Sequence, residues 1–256
     1  MINTVHLGLG PLGQKIVEYA VQRGCFNIVG AVDPDPDKAG RELGELCGIE
    51  PLGITVSSNL DEAIAGKSAE VALVATVSSI VFLESQVVEL AKAKLHIIST
   101  CEELFFPWNT QPEVSRRIDE ICRENGVVCL GTGVNPGYLM DFLPTVLSGV
   151  CQNVESVKVW RVQDASKRRI PFQQKIGVGL TLKEFEAQKS SGTLRHVGLP
   201  ESVDFIADRI GWKLDRNVET LEPVIADEDV DTGYKPVLRG MTRGVQQVSR
   251  GFVGGK

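Results

Sequence analysis

The chain has no excess of basic charge: among its 256 residues, 33 Asp and Glu outweigh 27 Lys and Arg, for a formal charge of −6. A surface of that sign offers phosphates no attractive field, so nucleic acid and anionic membranes are not expected partners. Long hydrophobic runs are missing too. No apolar stretch reaches the roughly 18 residues that announce a transmembrane helix, and the Met1-Ile2-Asn3-Thr4 start is not a basic segment followed by an apolar one. The expectation is a cytoplasmic protein without membrane contact. Internal repeats and low-complexity tracts are absent, which excludes a repeat architecture. Histidine is scarce, with only His6, His96 and His196, none at metal-ligand spacing. The six cysteines, at 25, 47, 101, 122, 129 and 151, include no CxxC pair. No metal site is expected, and the cysteines read as reduced thiols in a chain long enough to fold without disulfides.

What is present is a glycine-rich turn in an informative context. The apolar strand Thr4–Leu7 runs into Gly8-Leu9-Gly10-Pro11-Leu12-Gly13, a helical pattern follows, and a second strand, Phe26–Val32, ends on Asp33. A lone GxGxxG is weak evidence. Strand, turn, helix, strand and an acid about 20 residues past the last glycine together form a dinucleotide-binding unit. Gly8 permits the tight turn, Gly10 lets the backbone approach a pyrophosphate, and Gly13 lets helix and sheet pack closely. Pro11 and Leu12 complete the phosphate-facing first turn, whose N–H groups and dipole favour negative charge. Asp33 is expected to accept hydrogen bonds from the adenosine ribose. It would repel a 2′-phosphate, which favours NAD, while Lys38 and Arg41 leave NADP open. A solvated face is the plainer account of those two cations.

The first half alternates apolar runs with helical patterns, implying a mostly parallel sheet with crossover helices. Strands are expected at 54–56, 70–76, 95–100 and 127–131. Helices are expected over 60–65, over 80–94 with Val81, Val88, Leu90 and Ala91 as its apolar positions, and from Pro112 to Asn125 with Gly126 after its end. Beyond Asp141 the composition turns polar. A second region is expected to open with a strand at 154–162, to contain helices near 182–189 and 201–212, and to return to a strand over 213–225. Residues 251–256 look like the opening of a further strand or hairpin. The fold expected is α/β: a Rossmann-type doubly wound parallel sheet over 1–143, then a smaller α+β substrate and dimerisation domain over 144–256.

Ligands of open α/β sheets bind beyond the carboxyl ends of the strands. Three such segments stand out. Ala75-Thr76-Val77-Ser78-Ser79 is small and hydroxylated, suited to lie under a cofactor's ribose and nicotinamide, with Ser78 or Ser79 also able to cap the next helix. Thr100 and Cys101-Glu102-Glu103-Leu104 follow the 95–100 strand, with Thr100 a further cofactor contact. A carboxylate there can act as a general base if desolvation raises its pKa. Thr100 and Glu103 also stand in S/T-x-x-E relation, a capping box that would leave Glu102 freer, and composition alone favours that structural role. In Gly133-Val134-Asn135-Pro136-Gly137, Asn135 offers an amide to cofactor and substrate, although Asn-Pro-Gly is also a common turn. The second region contributes Arg161, Gln163-Asp164-Ala165-Ser166-Lys167-Arg168-Arg169, Lys175 and His196. These groups can hold an acidic substrate, against a solvated surface as the bland alternative.

On the segments Ser99–Leu104, Gly131–Gly137, Gln163–Arg169 and Lys175-Ile176-Gly177, the chain resembles the NAD(P)-dependent amine dehydrogenases related to 2,4-diaminopentanoate dehydrogenase, whose nucleotide domain is similar to that of dihydrodipicolinate reductase. The resemblance covers essentially the whole chain. It implies a catalytic carboxylate in Glu102 or Glu103, reversing the preference from composition. It also implies a substrate pocket drawing on Asn135, Arg161, Gln163 and His196, and an amine or amino-acid substrate. A homodimer is expected on a different ground, since an exposed sheet face or edge in the second domain wants a partner. Members are usually longer, so the C-terminal domain is expected to be incomplete. The adjacent histidines of true dihydrodipicolinate reductases are missing, since the chain contains no His-His. An imine reductase is therefore the runner-up, and a catalytically silent NAD-binding sensor or scaffold is a rival of another class.

Overall fold

Each apolar run of the first half becomes a parallel strand, and each amphipathic stretch between them a helix. In the computed structural model, which describes every residue except Arg169, Arg195 and Lys256, the chain divides into two units, Met1–Tyr138 and Leu139–Lys256. The first unit runs β1 (Ile2–Leu7), α1 (Pro11–Arg23), β2 (Phe26–Val32), α2 (Leu43–Cys47), β3 (Val56–Ser57), α3 (Leu60–Ile64), β4 (Val71–Val74), α4 (Ile80–Lys92), β5 (His96–Ser99), a 3₁₀ turn (Glu102–Leu104), α5 (Pro112–Asn125) and β6 (Cys129–Gly131). The six strands form one sheet in the order β3-β2-β1-β4-β5-β6, every neighbouring pair parallel. The chain starts in the middle, winds outward to β3, then crosses back to β4. The order therefore reverses between β1 and β4, where the strand ends leave a crevice.

Apolar clusters on both faces of the sheet hold it. Val5, Leu7, Ala72, Val74 and Ile97 pack against α3, α4 and α5, while Leu9, Val17, Ala20, Ile28 and Ala31 pack with Leu43 and Val56 in a second cluster. Helix α4 buries Ile80, Leu83, Val87, Leu90 and Ala91. Of the expected apolar positions Leu90 and Ala91 are buried and Val88 half-buried, while Val81 lies on the solvent side. The reason is spacing: 80, 83, 87 and 90 follow the 3-and-4 rhythm of a single face, which 81 leaves. Each such large aliphatic side chain contributes roughly 1.5–3 kcal/mol on burial. The helix from Pro112 ends as expected at Asn125, with Gly126 left-handed at φ +69°.

The second unit contains α6 (Phe142–Ser148), a 3₁₀ turn (Ala165–Lys167), α7 (Ile170–Lys175), α8 (Leu182–Ser190), α9 (Leu199–Arg209), β7 (Arg216–Ile225), β8 (Val230–Asp231), β9 (Pro236–Val237) and β10 (Thr242–Phe252). β7 and β10 form a long antiparallel pair, and β8 and β9 a short one. Helix α8 begins with a capping box between Thr181 and Glu184. Two expectations are overturned. Residues 154–162 are not a strand: Val157 and Val159 alternate with polar residues, but no neighbouring strand among the described residues takes up the segment's N–H and C=O groups, and Trp160 and Val162 are 77% and 92% exposed. Of the run 251–256, residues 251–255 do not open a strand either, because Gly251 and Phe252 close β10, and Lys256 lies outside the described residues.

His6 shows how tightly the sheet meets α1. It is fully buried, and its Nε2 lies 3.1 Å from the Gly8 carbonyl oxygen, to which Nε2–H donates. Its Nδ1 has no partner among the described residues. Burial lowers its pKa to about 4 from an ordinary 6.5, opposed only by the bond to Gly8. The unfolded chain therefore takes up a proton near pH 6.5 that the folded chain refuses until about pH 4. Stability from this group is complete above that window, falls as pH drops through it and levels off below it. The loss is on the order of 3 kcal/mol. Melting temperatures measured across this range should fall accordingly, and His6→Gln, which keeps an N–H donor, should flatten that part of the curve.

Candidate active site

The glycine turn after β1 is shaped by close approaches at two of its three glycines. Gly8 has φ +88°, and a Cβ there would lie 2.6 Å from the Ala75 carbonyl oxygen. A Cβ on Gly13 would fall 1.8 Å from the Gly8 carbonyl oxygen, so the helix can start this close to the strand only without a side chain. Gly10 differs: a Cβ there would meet nothing within 4 Å. It is the N-cap of α1, with Pro11 next and no side-chain cap on the first turn. Leu12 is exposed beside it. The N-terminal N–H groups of a helix lack intrahelical acceptors, so an open, uncapped first turn favours an anion.

Asp33 closes the other side of this turn. Its Oδ2 accepts the Leu9 N–H at 2.7 Å and lies 3.0 Å from Lys38 Nζ, and its Oδ1 accepts the Asp35 N–H at 3.0 Å. Burial opposes its ionisation, but these two N–H groups and the Lys38 ammonium outweigh it and hold the carboxyl below its ordinary range. Lys38 also bridges to Asp35 Oδ2 at 3.0 Å. It is therefore an ion-pair centre and not a free solvated cation. Arg41 is exposed.

The next strand ends line up along the same sheet edge. Ala75 and Thr76 lie against Gly8, and Thr76 Oγ1 donates to Gln86 Oε1 at 2.8 Å. Thr100 is tied to β4 through its N–H, 3.0 Å from the Val74 carbonyl oxygen. Thr132 N–H donates to the Ser99 carbonyl at 2.9 Å, and a Cβ on Gly131 would lie 2.6 Å from the Leu104 carbonyl. The Glu-Glu turn and the loop carrying half-buried Asn135 are thereby adjacent.

Neither expected cap forms. The 3₁₀ turn at Glu102 has no side-chain cap, and Ser79, N-cap of α4, makes no side-chain cap bond. Instead Glu103, 9% exposed, accepts the Ile80 N–H on Oε2 at 3.0 Å. Its own N–H donates to the Ser78 carbonyl at 3.3 Å. Glu102 is half-exposed, and its carboxylate has no hydrogen bond or ion pair to a described residue. Cys101 is buried, and burial pushes its thiol up to about 12, far from nucleophilic use. The six cysteines are unpaired. No three His, Cys, Asp or Glu among the described residues form a metal-holding group.

In the second unit, Arg161 is half-buried. Burial, and then the neighbouring charge of Arg168, lowers its pKa, and no described acid pairs with it. The Arg168 guanidinium stacks on Phe172, 4.7 Å from the ring centroid. Arg169 lies outside the described residues. Gln163 is exposed ahead of Asp164, which caps the 3₁₀ turn. His196 is held by its backbone: its N–H donates to Gln247 Oε1 at 2.7 Å, and its carbonyl accepts from Gln247 Nε2 at 2.8 Å. Gln247 carries no motif that would have singled it out.

Comparison with known proteins places this arrangement. Residues 138–256 match the family described as 2,4-diaminopentanoate dehydrogenase C-terminal domain, and residues 4–102 match dihydrodipicolinate reductase, N-terminus. A 2,4-diaminopentanoate dehydrogenase of Acetoanaerobium sticklandii is 31% identical over 100% of this chain and 73% of its own length. The chain belongs to the 2,4-diaminopentanoate dehydrogenase family. An amine dehydrogenase of Streptomyces virginiae is 22% identical over 91% of the chain and 66% of its own length. The structure of an amine dehydrogenase from Mycobacterium smegmatis has the same fold, with a TM-score of 0.81 at 22% identity over 99% of this chain and 75% of that one. Membership of this dehydrogenase family brings a nicotinamide cofactor with it, and the residues present fit one: an open Gly10, an uncapped α1 and an ionised acid at the end of β2. No helix among the described residues is long and apolar enough to cross a membrane.

The glycines separate fold from binding. Gly10→Ala should melt within a few degrees of the parent and yet bind NADH at least about tenfold more weakly, because its methyl enters the space a pyrophosphate needs. Gly13→Ala should lose the folded state outright. Thermal melts alongside NADH fluorescence titration check both.

Proposed function

We propose that this chain catalyses reversible oxidative deamination of a small primary amine of the 2,4-diaminopentanoate class, with NAD as the preferred cofactor. The observation that carries this is the Glu102–Glu103 turn at the end of β5, held on the same sheet edge as the glycine turn, Ala75-Thr76 and Asn135. A nicotinamide dinucleotide, when bound, supplies the hydride acceptor. Gly8, Gly10, Pro11, Leu12 and Gly13 would hold its pyrophosphate, and Asp33 its ribose. Ala75, Thr76, Thr100 and Asn135 would orient the remainder. The protein's share of the chemistry is then orientation and proton handling.

Oxidation at the amine carbon needs a neutral amine and leaves an iminium. Water adds to that carbon, a proton leaves the water, and ammonia departs as the carbonyl forms. A carboxylate of the Glu102–Glu103 pair accepts the proton, a role that typically contributes 10²–10⁴-fold. The first unit would bind cofactor and the second substrate, with Gln163 and His196 among its contacts. Arg161, without an acidic partner among the described residues, would receive the substrate's carboxylate. The preference for NAD rests on charge: Asp33 and Asp35 share the single ammonium of Lys38, which leaves net negative charge where NADP carries its 2′-phosphate. Six unpaired thiols suit a reducing cytoplasm, and the exposed Trp160 and Val162 suit a homodimer.

The test is NADH and NADPH formation at alkaline pH across a panel of amines that includes 2,4-diaminopentanoate and simple alkyl amines. Reduction of NAD by a diamino acid, at least about tenfold faster than reduction of NADP, is expected. Turnover of cyclic imines indifferent to ammonia would point to an imine reductase, and NADH binding without any turnover to a silent sensor. Arg161→Leu should raise KM for the carboxylate-bearing amine roughly ten- to hundredfold, the worth of a charged hydrogen bond. Alkyl amines should be unaffected.

A further inference from the structure

The two adjacent glutamates occupy different environments. Helix α4 begins at a fully buried Ile80 whose N–H lies inside the protein, and the residue positioned to cap it, Ser79, makes no side-chain bond. A buried N–H left without an acceptor is costly. The acceptor comes from 23 residues further along the chain, as Glu103 Oε2 at 3.0 Å. The contact is two-way, since the Glu103 N–H returns to the Ser78 carbonyl at 3.3 Å. A carboxylate at this position also meets the positive end of the α4 dipole. The clasp joins the loop after β4, which carries Thr76, to the loop after β5, which carries Glu102. Glu102 itself is half-exposed, with no described partner for its carboxylate.

We propose that Glu103 is a positioning residue. Its carboxylate is the N-cap of α4, supplied from another strand end, and it holds the two loops that would flank the nicotinamide in register. Glu102 is left to exchange the proton. The division rests on the amine dehydrogenase reading for Glu102, whereas the clasp by Glu103 stands on its two hydrogen bonds, from Ile80 N–H to its carboxylate and from its own N–H to the Ser78 carbonyl.

The decisive comparison is among Glu103→Ala, Glu103→Gln and Glu102→Gln, each assayed for thermal melting, NADH dissociation constant, kcat, KM and the pH profile of kcat. Gln keeps an acceptor oxygen for Ile80 N–H, so Glu103→Gln should melt and bind NADH close to the parent and should keep the pH limb that Glu102→Gln loses. Glu103→Ala should melt roughly 2–6 °C lower and bind NADH roughly three- to tenfold more weakly. Glu102→Gln should melt and bind NADH like the parent, lose about 10²-fold or more in kcat, and lose the pH limb of its carboxylate. The proposal is overturned if Glu103→Gln loses kcat as Glu102→Gln does while NADH affinity holds, or if Glu103→Ala melts and binds like the parent. Should the parent turn over no amine, the activity reading fails, and melting and NADH binding still decide the role of Glu103.

Discussion

The approach of Gly13 to the Gly8 carbonyl governs the geometry of the nucleotide-binding unit. With a Cβ only 1.8 Å from that oxygen, no side chain at position 13 is compatible with α1 starting where it does. Because the helix starts there, its open first turn stands at the end of the central strand. The same approach brings Gly13 against His6, where a Cβ would lie 3.0 Å from Nε2, and Nδ1 of that buried ring has no partner among the described residues. It also places the Leu9 N–H where Asp33, arriving at the end of β2, can accept it at 2.7 Å. A steric allowance of two hydrogen atoms thus ties strand, turn, helix and acid into one rigid unit.

The rest of the first unit extends that rigidity along the sheet edge. Loops are the weakest carriers of geometry in a fold, so a site assembled from four of them needs ties between them. The ties are visible: Ala75 against Gly8, Thr100 onto Val74, Glu103 onto Ser78 and Ile80, Thr132 onto Ser99, and Leu104 onto Gly131. Each runs from one strand end to the next.

Much of this was legible in the amino-acid pattern, and where it was not the reason is local. β2 is legible to the residue because its apolar run lies between Gly24, which ends the helix before it, and the acid Asp33. Helix α5 was equally clear, framed by Pro112 and Gly126. In α4 only Val81 departs from its apolar pattern, because the first turn, Ile80 to Leu83, is apolar throughout and only packing decides which of its residues face inward. The 154–162 segment has the β-branched residues of a strand, but composition records only side-chain preference, and a strand also needs a neighbour to bond. The C-terminal residues misled for the converse reason: the pairing of β10 with β7 was invisible until both were placed.

The glutamate pair marks the boundary between the two kinds of knowledge. The sequence by itself determined that a dinucleotide unit opens the chain, that an acid ends its second strand and that two carboxylates follow the 95–100 strand. These are consequences of short-range order, where spacing along the chain is spacing in space. It also contained an apparent capping box from Thr100 to Glu103, and only the tertiary structure decided that this carboxylate serves a different helix. The same holds for Lys38, drawn off the solvated face by Asp33 and Asp35. Hydrogen-bond acceptors go to whichever buried donor lies nearest once the chain is folded, and that neighbour is set by the crossing of strands, not by position along the chain.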